Sequence, residues 1–259
     1  MTWTTRPRSE ANGLAVIKAG AGPTVLLLHG VGLCADAWHR QIDALAPHFQ
    51  VIAPDMPGHG HSRPSASPWG ISDYGDHVMG CTDRPVMIVG HSMGALIALD
   101  LAIRYRDRVR GVAAFNAIWR RSTEAAAAVR ARADQLDGCT APDPSGPIAR
   151  WFGDAPSPQR SACAQWLRDV NPSDYKMAYT AFATSDGPPD AALRQIACPA
   201  LFMTGALEPN STPKMSHAMA ALAPQGHALI VDEAAHMMPM THADAVNSAL
   251  LTFAREVWT

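Results

Sequence analysis

The most informative motif in the chain is Gly90-His91-Ser92-Met93-Gly94, a serine with a glycine two residues before it and another two residues after it. The motif follows the apolar run VMIV and precedes the helix-like run ALIALDLAIRY. A strand that turns into a helix in so few residues strains the central residue, and the glycines relieve the crowding. The serine hydroxyl is then exposed above the sheet edge, at a helix N-terminus whose dipole favours negative charge. The motif therefore predicts Ser92 as a nucleophile.

A serine hydroxyl is a weak nucleophile at neutral pH and needs a general base. His91 is adjacent, but at such a turn its side chain is expected to point away from that of Ser92. His236 is the better candidate, because it follows the last strand-like run on a loop, and such loops surround the site in open α/β sheets. His242 is less favourable, since it lies near the start of a helix. We therefore predict His236 as the base.

The base in turn needs a carboxylate that orients its ring. Glu208 follows the run ALFMT and a glycine turn, which places it at the carboxyl end of the penultimate strand. Asp232 and Glu233 are close to His236 in sequence, and that proximity does not give the required approach. Asn116 ends another strand but cannot carry the charge. Glu208 is therefore the predicted acid.

Two backbone amides are candidates for an oxyanion hole, which holds the negative oxygen of a tetrahedral intermediate. The run VLLL ends in His29-Gly30-Val31-Gly32, a glycine-flanked turn that leaves the amide of Val31 free. The amide of Met93 begins the helix after the serine. His29 is expected to have a structural role within its turn.

Residues 55–62, DMPGHGHS, contain an aspartate and two histidines, but no matching cluster accompanies them at metal-ligand spacing. We interpret the segment as a tight turn that lines the site, and we predict neither a metal nor a cofactor. No phosphate-binding glycine motif follows a strand. Substrate contacts are predicted at four residues around the site: Gly30, Trp119, Trp151 and Met237.

The elements that position these residues follow from short apolar runs without strict alternation, which predict strands buried on both faces of a parallel sheet. The runs cover residues 25–28, 51–53, 86–89, 109–115, 200–203 and 228–231. Helix-like stretches lie between them, at residues 36–45, 92–105, 213–222 and 243–257. The alternation predicts an α/β fold with a mostly parallel, doubly wound sheet, and residues 14–18 are a further strand at its edge.

The alternation is interrupted once, between residues 119 and 196, where only helix-like pieces occur. They cover residues 122–136, 158–170 and 172–184, and proline- and glycine-containing joints separate them. This crossover is too long for an ordinary connection. We interpret 119–196 as a helical cap inserted into a core formed by 1–118 and 197–259. Arg120, Arg121 and Arg150 lie in the cap and are the candidates for contacting a substrate carboxylate.

The composition excludes several other classes of protein. With 259 residues, 47% hydrophobic and 17% charged, the chain suits a buried globular core and not a disordered or coiled-coil protein. A formal net charge of -2 provides no field that would gather nucleic acid or an anionic membrane. Five widely spaced cysteines and the lack of a signal-peptide-like N-terminus indicate a soluble, cytoplasmic protein. The expected partner is a small-molecule substrate, and the sequence leaves open whether the protein forms a homodimer.

The segments HGVG, DMPGHGHS, VGHSMG, TGALEPNSTP and EAAHMMPMTHADAVN together resemble, in order and spacing, the motifs of the α/β-hydrolase superfamily, in its capped branch with a serine nucleophile. The resemblance implies Ser92 as nucleophile, Glu208 as acid and His236 as base, with oxyanion donors at Val31 and Met93. Aspartate is usual in the family where Glu208 stands. The implied reaction is acyl transfer on a small, mainly apolar ester or lactone. The alternatives are carbon–carbon bond hydrolysis or cofactor-free perhydrolysis on the same residues, and a non-catalytic small-molecule receptor is less favoured.

Overall fold

The computed structural model describes Trp3, residues 5–64 and residues 68–259. Within these ranges eight strands form one sheet: β1 (Ser9–Ala11), β2 (Leu14–Ala19), β3 (Thr24–Leu28), β4 (Gln50–Pro54), β5 (Val86–His91), β6 (Val109–Phe115), β7 (Ala200–Gly205) and β8 (Gly226–Val231). Their order across the sheet is β1-β2-β4-β3-β5-β6-β7-β8. Strands β3 to β8 are parallel, and β1 and β2 pair antiparallel. The predicted fold class is confirmed. The strand expected at the edge lies one position inside it, because β1 covers it.

The helices described in the same ranges are α1 (His39–Leu45), α2 (Ile71–Met79), α3 (Met93–Arg104), α4 (Thr123–Gln135), α5 (Ser145–Phe152), α6 (Pro158–Asp169), α7 (Pro172–Thr184), α8 (Asp190–Leu193), α9 (Pro213–Leu222), α10 (Met238–Thr241) and α11 (Ala243–Val257). A 3₁₀ turn at Ala35–Trp38 precedes α1. Helices α9 and α11 coincide with the predicted stretches. In this part of the chain no helix is both long and apolar enough to cross a membrane.

The sheet is covered on both faces, as its continuous apolar strands require. On β3, Leu26 and Leu28 pack on one face with residues of α2 and α3. Val25 and Leu27 pack on the other face with residues of α1 and α11. All four side chains are fully buried. The carboxyl ends of the parallel strands therefore form a rigid edge on which the loops of the site are held.

Between β6 and β7 the chain forms only helices, α4 to α8, which we call the inter-strand helices. Three of them begin at polar side chains that accept a hydrogen bond from the first turn, namely Ser122, Ser157 and Asn171. Their buried residues, including Ile148 and Leu167, pack together with Leu33, which follows β3, and with Met240 of α10. This cluster fixes the inter-strand helices over the loops at the carboxyl edge of the sheet.

Candidate active site

Ser92 lies in the turn between β5 and α3, as the sequence predicts. Its backbone has φ 58° and ψ −118°, a strained conformation for a residue with a side chain. A Cβ atom on Gly90 would lie 2.0 Å from the carbonyl oxygen of Gly94, and one on Gly94 would lie 2.1 Å from that of Leu28. Both positions therefore need glycine. The turn places Ser92 at the N-terminus of α3, in the wall of a cavity.

The cavity has a volume of about 390 Å³ and lies between the carboxyl edge of the sheet and the inter-strand helices. The loops of the sheet contribute Gly30, Val31, Ser92 and His236 to its wall. The inter-strand helices contribute mainly aromatic and basic side chains: Arg132, Arg150, Trp151, Tyr175, Tyr179 and Phe182. Ser92 and His236 thus face one enclosed space that is large enough for a small organic molecule.

His236 and Glu208 are in direct contact, with 2.9 Å between His236 Nδ1 and Glu208 Oε2. The other carboxylate oxygen accepts the backbone amides of Asn210 and Ser211 at 2.8 and 3.3 Å. Burial of Glu208 opposes its ionisation, but the hydrogen bonds from His236 and from these amides hold its pKa at about 2. Glu208 is therefore a carboxylate at neutral pH. Since a carboxylate only accepts, Nδ1 of His236 carries the proton, which leaves Nε2 as the proton acceptor.

Ser92 and His236 line the same cavity, but within the described residues no hydrogen bond joins the serine hydroxyl to the imidazole. Contacts between a nucleophile and its base often shorten only when a substrate binds. The side chain of His236 is held on its other side by Trp151, whose ring stacks on the imidazole with centroids 5.7 Å apart and planes 20° apart. The imidazole thus lies between a carboxylate and an aromatic face.

Two neighbouring residues support this pair, and sequence reasoning assigned neither of them such a role. His91 Nε2 donates to the backbone carbonyl of His236 at 2.8 Å. Burial, followed by repulsion from His236, lowers the pKa of His91 to about 3, so its ring stays neutral. Asn116 Nδ2 lies 3.1 Å from Thr204 Oγ1 and 3.5 Å from Glu208 Oε2. Their positions in the chain carried the available signal, because His91 ends β5 and Asn116 directly follows the neighbouring strand β6.

The amides of Val31 and Met93 do not donate to a protein acceptor in the part of the chain that the structure describes. Val31 follows β3 and lines the cavity, whereas Met93 is the first residue of α3 and its side chain is buried in the core. The first amides of a helix have no intrahelical partner and point outward from its N-terminus. Two N–H groups without a protein acceptor among the described residues therefore follow the neighbouring strands β3 and β5.

Of the four predicted substrate contacts, the structure brings Gly30 and Trp151 to the cavity. Trp119 and Met237 are not among the described residues that line it. Trp119 packs in the main core and its indole donates to Pro188 O at 3.0 Å. Met237 is 1% exposed and packs with the inter-strand helices. Both large side chains complete apolar clusters, and their positions along the chain do not reveal this.

The arginines of the inter-strand segment divide into paired and unpaired cations. Arg120 pairs with Asp190 and lies outside the cavity wall. Arg121 lines the cavity but is bound to Asp186 at 2.7 Å. Arg150 also lines the cavity, together with Arg132, which the sequence did not indicate.

Arg132 and Arg150 form no ion pair with a carboxylate among the described residues. Arg132 donates to the hydroxyl of Tyr179 at 3.1 Å. Partial desolvation of Arg150, which remains an exposed residue, lowers its pKa, and repulsion from Arg132 lowers it further. The cavity wall therefore presents two exposed cations that repel each other.

The aspartate of the DMPGHGHS segment is fully occupied by protein donors. Asp55 accepts from Arg8 Nε at 2.9 Å and from the amides of Ala35 and His61 at 2.7 and 3.0 Å. Within the described ranges, histidine, cysteine, aspartate and glutamate do not form a group of three or more that could hold a metal ion. The segment is a buried turn beside the loop that follows β3.

Comparisons with known proteins agree with this geometry. The sequence profile of the alpha/beta hydrolase family matches residues 25–249. The (E)-2-((N-methylformamido)methylene)succinate hydrolase of Acinetobacter baylyi is 37% identical over 89% of this chain and 90% of its own. A thermophilic esterase from Thermogutta terrifontis, solved with malate bound, superposes with a TM-score of 0.86 at 25% identity, over 98% of this chain and 100% of its own. The enol-lactonase from Burkholderia xenovorans has a TM-score of 0.80 at 26% identity, over 96% and 100% of the two chains.

Proposed function

The chain belongs to the alpha/beta hydrolase family, and we propose that it is a serine hydrolase that cleaves a small ester or lactone through an acyl-enzyme intermediate. The observation that carries the proposal is the 2.9 Å contact between Glu208 and His236, in a cavity that also contains the strained Ser92. The similarity to an esterase and to an enol-lactonase supports the same class of bond.

The first half of the reaction forms the acyl-enzyme. Ser92 Oγ attacks the carbonyl carbon of the substrate while its proton moves to Nε2 of His236. The carbonyl electrons move to the oxygen, and this oxyanion accepts hydrogen bonds from the amides of Val31 and Met93. When the carbonyl re-forms, the bond to the leaving group breaks, and the leaving oxygen takes the proton from His236.

The second half releases the acid. Water attacks the acyl carbon and gives a proton to His236 Nε2, and the second tetrahedral intermediate uses the same two amides. Its collapse breaks the bond to Ser92 Oγ, which recovers its proton from the imidazolium. Glu208 stays ionised throughout and stabilises the imidazolium in both halves, because hydrogen bonds hold its pKa at about 2.

A second candidate is hydrolysis of an amide-type bond in a substrate that carries a carboxylate. The Acinetobacter relative is named for a succinate with an N-methylformamido group, and it is 37% identical to this chain. The observation that favours this candidate is the pair of cations in the cavity wall, Arg132 and Arg150. Both arginines are exposed, so their contribution to binding a carboxylate is about 1 kcal/mol each.

We also propose that the inter-strand helices form a cap whose side chains select the substrate, and that the protein works in the cytoplasm. Carbon–carbon bond hydrolysis and perhydrolysis use the same three residues and differ in the substrate that the cavity accepts. The presence of Ser92, Glu208 and His236 argues against a receptor that has no catalytic activity.

A panel of substrates tests the proposal. It comprises 4-nitrophenyl butyrate, 4-nitrophenyl hemisuccinate, an enol lactone, an N-acyl enamine dicarboxylate and a vinylogous diketone. The proposal predicts turnover of the esters and the lactone, and an acyl group bound to the intact protein in rapid-quench mass spectrometry. Faster turnover of the hemisuccinate than of the butyrate supports a carboxylate-bearing substrate. Rapid diketone cleavage with negligible ester or lactone turnover contradicts the proposal.

A further inference from the structure

The amide of Val31 can hold an oxyanion only if its N–H points into the cavity, and the Gly30–Val31 peptide decides this direction. In a trans peptide the carbonyl oxygen and the following N–H point in opposite directions. No cis peptide occurs among the described residues. A Cβ atom on Gly30 would lie 3.1 Å from Cβ of Ser92, so this peptide borders the nucleophile. Whatever holds the carbonyl of Gly30 therefore also aims the N–H of Val31.

The carbonyl of Gly30 is held from the protein side by two donors. His29 Nδ1 lies 2.8 Å from Gly30 O, and the amide of Leu33 donates to the same oxygen at 3.2 Å. His29 is 1% exposed and belongs to the protein interior. With the carbonyl fixed toward the interior, the N–H of Val31 is directed away from it, to the cavity side.

The tautomer of His29 is imposed by a second segment of the chain. The amide of Met56 donates to His29 Nε2 at 2.9 Å, so Nε2 is an acceptor and the ring proton lies on Nδ1. Only this tautomer can donate to Gly30 O. Burial, followed by repulsion from His59, lowers the pKa of His29 to about 3, so the ring is neutral in the neutral pH range.

Met56 belongs to the DMPGHGHS segment, which the sequence predicts to be a tight turn, and neighbouring residues hold this segment in place. The preceding Asp55 binds Arg8 and accepts the amides of Ala35 and His61. Ala35 lies just after the Gly30–Leu33 turn. The carboxylate thus ties the turn after β4 to the turn after β3, and it fixes the distance between the amide of Met56 and His29.

We propose that His29 is a positioning residue for the oxyanion hole, which transmits the hydrogen bond of the Met56 amide to the carbonyl of Gly30 and so directs the N–H of Val31 at the substrate oxygen. The inference rests on the proposed function. His29 does not touch the substrate, and its effect on the reaction passes entirely through the peptide between Gly30 and Val31.

Two amide variants of His29 separate this role from a merely structural one. In His29→Asn the side-chain amide reaches the position of Nδ1 and can donate to Gly30 O, but it loses the acceptor for Met56. In His29→Gln the side chain reaches the position of Nε2 and can accept from Met56, but it loses the donor to Gly30. Each variant removes one buried hydrogen bond, so both are expected to lower the thermal midpoint by similar amounts.

The readout is the pair of constants kcat and KM for a 4-nitrophenyl ester, with the affinity of an alkyl boronic acid as a mimic of the tetrahedral intermediate. Loss of one oxyanion donor lowers kcat by about 10²–10³. We expect His29→Gln to lose about 100-fold in kcat and in boronate affinity with little change in KM, and His29→Asn to stay within tenfold of the wild type. Equal losses in the two variants, or a larger loss in His29→Asn, overturn the proposal.

The tautomer of His29 can be measured in the wild type, so this test does not depend on the folding of a variant. In ¹⁵N-detected NMR we expect a protonated Nδ1 and an unprotonated Nε2 at neutral pH, and a proton on Nε2 overturns the proposal. A failure of the proposed function can be distinguished from a failure of the inference about His29. A wild type that never forms an acyl-enzyme refutes the proposed function and this inference with it, whereas an active wild type with an Nε2 proton refutes this inference alone.

Discussion

Replacing Glu208 by glutamine changes one oxygen of the side chain to an NH₂ group in a place where every neighbour is a donor. Nδ1 of His236, Nδ2 of Asn116 and the amides of Asn210 and Ser211 all point at the carboxylate. If the glutamine oxygen keeps the two loop amides, its NH₂ group faces His236. The imidazole then moves its proton to Nε2 so that Nδ1 can accept, and Nε2 can no longer take the proton of Ser92.

The expected magnitude follows from this change of tautomer. In Ser-His-Asp enzymes, replacing the acid by its amide lowers kcat by about 10⁴. We therefore expect Glu208→Gln to lower kcat for a 4-nitrophenyl ester by about 10⁴-fold, or about 5 kcal/mol in the barrier. KM is expected to change little, because Glu208 is buried behind His236 and does not line the cavity.

The assay is steady-state kinetics at pH 7 with two matched controls. Glu233→Gln makes the same chemical change in an exposed acid three residues before His236, and kcat should stay at the wild-type value. Glu208→Asp keeps the charge but shortens the side chain by one methylene, and a loss between 10- and 100-fold is expected. If Glu208→Gln keeps kcat within tenfold of the wild type, Glu208 does not orient the base and the reasoning fails.

Three further predictions follow from the same contacts. The pKa of Glu208 falls from 4.5 to about 2 on folding, so the wild type should be more stable than Glu208→Gln by about 3 kcal/mol above pH 4.5. This difference should disappear as the pH falls through 2. Urea unfolding at several pH values measures the difference, and a difference that does not change with pH contradicts the prediction. Trp151→Ala should lower kcat/KM by up to about tenfold, because it removes the ring stacked on His236, while Trp151→Phe should recover most of the loss. Arg150→Gln should raise KM for 4-nitrophenyl hemisuccinate about fivefold and leave KM for the butyrate unchanged, and equal effects on both esters would argue against a carboxylate subsite.

The sheet and the order of its elements were predictable because each buried strand is a continuous apolar run, and because the turn at Ser92 requires glycine at two positions. Leu26 and Leu28 face one layer of helices while Val25 and Leu27 face the other, so both faces must be apolar. Strand β1, with the sequence SEA, carries no such signal, since only one edge of it is paired and it is largely exposed. Helix α2 lacks a clear signal as well, because Gly75 and the polar side chains of Ser72, Asp73 and Asp76 interrupt it.

The contact between Glu208 and His236 follows from strand order, because the carboxyl ends of neighbouring parallel strands meet at one edge. Which large side chains reach the cavity does not follow from sequence in the same way. Trp119 and Trp151 both lie between β6 and β7, yet one completes the core and the other stacks on the imidazole. The direction of each depends on how the inter-strand helices pack, which is a property of the tertiary structure and not of local pattern.

Covalent labelling is the decisive test of whether Ser92 is a nucleophile activated by its surroundings. The protein is treated with a fluorophosphonate probe, and the modified peptide is located by mass spectrometry. We expect stoichiometric labelling on Ser92, loss of labelling in Ser92→Ala, and unchanged labelling in Ser122→Ala, which alters another serine of the cavity wall. A folded wild type that takes up no probe, or takes it up at a residue other than Ser92, would show that Ser92 is not the nucleophile.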